Sequence, residues 1–110
     1  MSAPKFEFLC ILPDKEGVRE KRLEIRPLHF AGLQKLVEEG FLTWGGAMLN
    51  TVPTDDTLDF KGSALTAYAS SKEELMEKLN SDPYAVHGVW DMEKAQIIPF
   101  KCALREPLQK

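Results

Sequence analysis

The chain begins with a short apolar run, Phe6 and then Phe8 to Leu12, broken by Pro13-Asp14-Lys15-Glu16-Gly17. Such a run, closed by turn residues, predicts a buried strand. Residues 18–26 are charged apart from Val18, Leu23 and Ile25. Pro27 follows, and a proline suits the first helical position, where its missing N–H would lack a partner anyway. The residue before it avoids helical torsions, so the pattern predicts a boundary near Arg26. Phe30, Leu33, Leu36 and Val37 then recur at helical spacing up to about Glu39, with Gly40 as cap.

Phe41 to Leu49 reads as a second strand with a Gly45-Gly46 break, and residues 50–61 read as a loop around Pro53 and Asp55-Asp56. Gly62 to Ala69 alternates weakly and predicts a third strand. Ser70 and Ser71 are each followed three residues later by a glutamate, Glu73 and Glu74. That is the pattern of a capping box, opening a helix to about Asn80 on a stripe of Leu75, Met76 and Leu79. Asp82-Pro83 predicts a further short turn by the same logic. Ala95 to Leu104 reads as the last strand, with Pro99 placing it at an edge or bulge.

The order β-α-β-β-α-β predicts a ferredoxin-like α+β fold, one antiparallel sheet with both helices on one face. The other face would then lie bare, although Trp44, Tyr68 and Phe100 give the strands apolar residues on both sides. A large apolar sheet face marks an interface. The expectation is a homodimer with its sheets packed face to face.

Composition narrows the function classes. With 110 residues, 44% hydrophobic and 28% charged, the chain fits one globular domain, with a core from about residue 6 to residue 104. A net charge of -3 argues against a generic nucleic-acid binder. No apolar run reaches the roughly 18 residues of a membrane span, and the N-terminus lacks a signal-peptide layout. Two cysteines, Cys10 and Cys102, lie in apolar runs and lack zinc spacing. They read as buried free thiols of a reduced, cytoplasmic protein, and a disulfide between neighbouring terminal strands is the other reading.

Against this acidic background the stretch from Glu20 to Leu33 stands out, because it gathers Arg22, Arg26 and His29. Far away in sequence lies Ser81-Asp82-Pro83-Tyr84. Five fragments occur in order: Glu20-Lys21-Arg22-Leu23 with Arg26-Pro27 and His29, then Gly62-Ser63, Asp82-Pro83-Tyr84, Gly88-Val89 and Pro99-Phe100-Lys101. Together they resemble the YciI-like, or YCII-related, family over nearly the whole domain. The resemblance implies a dimeric α+β barrel, in the superfamily that holds muconolactone isomerase and cofactor-free monooxygenases. It also implies a His–Asp pair at the active site, here His29 and Asp82. The chain departs from the compact family form in its loop 50–61 and its 90–96 segment, both of which would reshape a pocket.

The spacing of His29, Leu33 and Leu36 puts them on one helix face, directed at the sheet. A first-turn position would also set the helix dipole against a protonated imidazole. Asp82 would fix its tautomer and stabilise the imidazolium as it forms. Arg22 and Arg26 would bind a carboxylate or enolate. A base and a cation suffice for elimination or isomerisation, without metal or organic cofactor. Each residue also has a plainer role open to it. His29 fits a hydrogen-bonded core edge, Asp82 an N-cap, the arginines ion pairs, and Tyr84, expected with the arginines to bind substrate, an aromatic packed with its hydroxyl at a polar rim. His87 looks solvent-facing and gives no metal site for want of a third ligand, and Gly45-Gly46 fits a bulge better than a phosphate cradle. The expected function is a small cofactor-independent lyase or isomerase acting on an acidic, oxygenated small molecule, with a small anionic or carbonyl-containing ligand as partner. The alternative is a non-catalytic dimeric metabolite-binding or accessory protein, with haem binding as a weaker third.

Overall fold

The computed structural model describes residues 4–54 and 56–107. Four strands, β1 (Phe6–Pro13), β2 (Leu42–Leu49), β3 (Phe60–Ala69) and β4 (Gln96–Pro99), form one sheet in the order β2-β3-β1-β4. Every neighbouring pair is antiparallel. The helices are α1 (Arg19–Glu38), α2 (Lys72–Asn80) and the single turn α3 (Pro83–Val86), with a 3-10 turn at Met92–Lys94 before β4. This is the ferredoxin-like α+β arrangement expected from the sequence, the subunit fold of the dimeric α+β barrels.

One face of the sheet carries the core. Cys10 and Leu12 of β1 and Leu65, Ala67 and Ala69 of β3 are buried in a single cluster with Ile25 of α1 and Leu75 and Leu79 of α2. Period-two alternation on the strands and helical spacing on α2 bring these side chains to one side. α2 starts as its serines predict, with Ser71 Oγ accepting from the Glu74 N–H at 3.1 Å. The Glu74 carboxylate accepts from the Ser70 hydroxyl. β4 lies at the sheet edge, pairing with β1 alone, and ends at Pro99 rather than running on to Leu104. A proline at an edge removes no ladder bond.

α1 departs from the expectation. It begins at Arg19, not at Pro27, which lies inside the helix. The inward stripe runs Val18, Arg22, Ile25, His29, Leu33 and Leu36, with Arg22 and Ile25 buried. Two of its positions are polar, so the helical period of residues 18–26 is invisible to hydrophobicity. Pro27 is tolerated because it faces solvent. The Leu23 carbonyl loses its partner N–H there, and Leu23 is itself exposed, so water can reach that side of the helix. His29 therefore stands in mid-helix, and the dipole argument for its charge state falls away.

Candidate functional site

Between α1 and the β2–β3 side of the sheet lies a cleft of about 360 Å3, within the size range of small-molecule sites. Its walls are mainly apolar, with Phe30, Leu33, Phe41, Leu42, Phe60 and Leu65 among them. Gly45 lies in the floor, where a Cβ would come 3.2 Å from that of Leu65. The glycine break in β2 thus deepens the cleft, and the β-bulges lie to either side of it.

Five side chains singled out in the sequence meet here: Arg22, Arg26, His29, Asp82 and Tyr84. α1 presents the first three on successive turns. Asp82 caps α3, accepting at Oδ1 from the Tyr84 N–H at 2.9 Å. The same carboxylate holds His29, whose Nδ1 lies 2.9 Å from Oδ1 and 3.0 Å from Oδ2. Cap and partner are thus one group doing both jobs. Nδ1 carries the proton in this pairing, because an ionised carboxylate only accepts. In the neutral ring the lone pair is then on Nε2, and His29 is among the residues that line the cleft. Tyr84 stacks on the imidazole at 4.1 Å between centroids, and Trp90 meets it edge-on at 6.0 Å. The ring is fixed by hydrogen bonding and by packing at once.

Arg22 is more constrained than a free ligand-binding arginine. Nη1 donates to Asp14 Oδ1 at 2.7 Å and Nη2 to Ser63 Oγ at 3.0 Å. The guanidinium also lies over the Tyr84 and Phe60 rings, at 4.6 and 4.9 Å. Arg26 packs over Phe30 at 4.9 Å and takes part in no ion pair found among the described residues. Burial raises the Asp14 carboxyl above its usual range, opposed by the charge and hydrogen bond of Arg22. Burial likewise raises the Tyr84 phenol, against the pull of Arg22 and Arg26. Tyr84 therefore keeps its proton at neutral pH and is no base. His87 is exposed at the end of α3. Among the described residues no group of three or more His, Cys, Asp or Glu could hold a metal ion. Cys10 and Cys102 are free thiols, and burial pushes Cys10 up to about 12.

Sequence reasoning missed Asp14, Lys78 and Trp90, and it named Ser63 only within the Gly62-Ser63 fragment. Asp14 reads as a turn residue, yet it leaves β1 pointing at Arg22. Lys78 lines the cleft while paired with Glu39 at 2.9 Å. Trp90 Nε1 donates to Ser63 Oγ at 3.0 Å. The one signal for Ser63 is its place after Gly62, where a Cβ would come 2.5 Å from the Leu12 carbonyl oxygen. That close strand approach admits only glycine.

The sequence profile of the YCII-related domain matches residues 6–101. Protein YciI of Escherichia coli is 39% identical over 86% of this chain and 95% of its own length. Aspercryptin biosynthesis cluster protein B of Emericella nidulans is 38% identical over 99% of this chain and 70% of its own. Among solved structures, 5-chloro-2-hydroxyhydroquinone dehydrochlorinase of Burkholderia phenoliruptrix, in complex with 2,5-dihydroxybenzoquinone, superimposes with a TM-score of 0.75. It shares 25% identity, over 88% of this chain and 95% of that one.

Proposed function

The chain belongs to the YCII-related family, and on that premise we propose that it is a small lyase or isomerase. Its substrate is an acidic, oxygenated small molecule, and His29 and Asp82 are its proton-transfer pair. The observation that carries this reading is the contact of His29 Nδ1 with both Asp82 oxygens, at 2.9 and 3.0 Å. It leaves Nε2 as a fixed acceptor beside an apolar cleft. Nε2 takes a proton from a carbon next to a carbonyl, and the C–H electron pair moves to form an enolate. The pair then expels a leaving group, or the carbon skeleton is reprotonated elsewhere. Asp82 stabilises the imidazolium meanwhile. Arg26, a cation at the cleft, attracts the anionic substrate, and Tyr84 holds the imidazole plane. These steps call for no metal or organic cofactor. Removal of hydrogen chloride, named for the Burkholderia neighbour, is a reaction of this type.

The outer sheet face supports a homodimer. Trp44 and Ile98 lie on that face by register, and Phe100 follows directly after β4. They are 52%, 40% and 39% exposed, and apolar surface of that kind is buried in interfaces. Light scattering should return twice the chain mass, and Trp44→Glu should shift it toward the monomer.

The functional test is a screen of chlorinated and hydroxylated quinols and enolisable acids, followed by mass spectrometry. Wild type should convert one of them, and His29→Ala should lose 100-fold or more in kcat, by the usual contribution of a positioned acid–base group. Conversion that survives in His29→Ala defeats the acid–base role. Ligand stabilisation without any product points instead to a metabolite-binding protein.

A further inference from the structure

Ser63 is only 5% exposed and lines the cleft. Its Oγ is met by Arg22 Nη2 at 3.0 Å and by Trp90 Nε1 at 3.0 Å. Neither guanidinium nor indole N–H has a lone pair to offer, so Ser63 accepts from both. A hydroxyl has two lone pairs and one proton, and both lone pairs are now spent. Its proton needs an acceptor, and none is found among the described residues. The same is true of its neighbour. Arg22 Nε is the one buried side-chain nitrogen or oxygen without a partner among the described residues. Arg22 is 3% exposed and also lines the cleft. A buried donor left unpaired carries its full desolvation cost, so two on adjoining groups call for an acceptor that arrives from outside.

We propose that the Ser63 hydroxyl and Arg22 Nε form an oxyanion subsite, which takes a phenolate or enolate oxygen of a ring-sized ligand. The inference rests on the acid–base reading above and specifies its substrate class. The second donor of Ser63, Trp90, also touches the His29 ring edge, so the subsite and the base share one support. The cleft walls are apolar, which suits a ligand body with few polar atoms other than the oxygen the donors fix. Arg22 is neutralised by Asp14 at 2.7 Å, so the subsite selects by donor geometry more than by net charge. The Ser63 hydroxyl contacts the substrate directly, holding the oxygen that gains charge when Nε2 takes the carbon-bound proton.

The probe is 4-nitrophenol, whose phenolate absorbs separately from the phenol. Wild type should bind the phenolate at least tenfold tighter than the phenol, the effect of one or two hydrogen bonds to a charged group. The pKa of the bound probe should then fall by a unit or more. Ser63→Ala should lose most of that preference, and Ser63→Thr, which keeps the hydroxyl, should retain it. A Ser63→Ala protein that weakens both forms equally overturns the proposal, as does a wild type with no saturable binding or no preference. Should Ser63→Ala not fold, Ser63→Cys decides, because a thiol donates weakly, and an unchanged preference there is equally fatal. His29→Gln separates the two readings. Probe preference kept with turnover lost supports both. Turnover surviving in His29→Gln sinks the acid–base role alone, and a wild type lacking the preference sinks the subsite alone.

Discussion

Helices α1 and α2 cover the same sheet face in opposite ways. α2 is built for stability: its Ser71 cap is made, its acidic first turn suits the helix dipole, and its inward residues Leu75 and Leu79 are apolar and buried. α1 has no side-chain cap at Val18 and carries Pro27 inside, and it buries Arg22 in the layer where α2 buries leucine. Its inward polar groups are all held by elements other than itself. Asp14 comes from the end of β1, Ser63 from β3, and Asp82 from the turn after α2. The difference teaches that one helix supplies local stability while the other carries inward polar groups that the rest of the fold must hold in place.

The contrast can be broken most severely at Asp14. Asp14→Ala leaves the buried Arg22 charge without its counterion, and should cost about 3–5 kcal/mol in urea unfolding. On the other helix, Leu75→Ala should cost about 2–5 kcal/mol through a cavity, and should leave any turnover by the folded protein unchanged. If Asp14→Ala proves milder than Leu75→Ala, the charged side of the core is wetter than its burial implies.

Smaller effects sharpen the contrast with opposite signs. Ser71→Ala should destabilise by about 1 kcal/mol through loss of the cap. Pro27→Ala should stabilise by about 1 kcal/mol, well below the roughly 3 kcal/mol of an interior proline, because proline also restrains the unfolded chain. A destabilised Pro27→Ala would mean that the proline shapes the path of α1 at His29. A further effect is alkaline. Cys10 has a folded value of about 12 against 9.0, so the unfolded chain loses its thiol proton first. Its contribution is complete below pH 9.0 and is lost as pH rises through about 12. Urea midpoints should fall more steeply over that range in wild type than in Cys10→Ala, and iodoacetamide at pH 8 should label Cys102 well before Cys10.

Most elements with apolar inward positions were readable in the sequence, β4 excepted, which ends at Pro99 instead of Leu104. β1, β2, β3 and α2 lie within a residue or two of where alternation, breakers and the serine–glutamate cap put them. The first half of α1 was not, because Arg22 and His29 occupy its inward stripe and disguise the period that betrays a helix. A proline in an otherwise charged segment then looked like a start signal.

The candidate site divides along the same line. By itself the sequence determined the order of elements, the family, and the residues Arg22, Arg26, His29, Asp82 and Tyr84. Each of these follows from local spacing, capping chemistry or a motif read along the chain. Only the tertiary structure decided that Arg22 is tied to Asp14 and Ser63, and that Trp90 and Ser63 back the cleft beside the imidazole. It alone also gave the two-oxygen contact of Asp82 with His29. Those contacts join residues up to 53 positions apart, brought together by strand register and helix docking. Hydrophobic patterning specifies which faces are buried, and it carries no information on which buried polar group will find which partner.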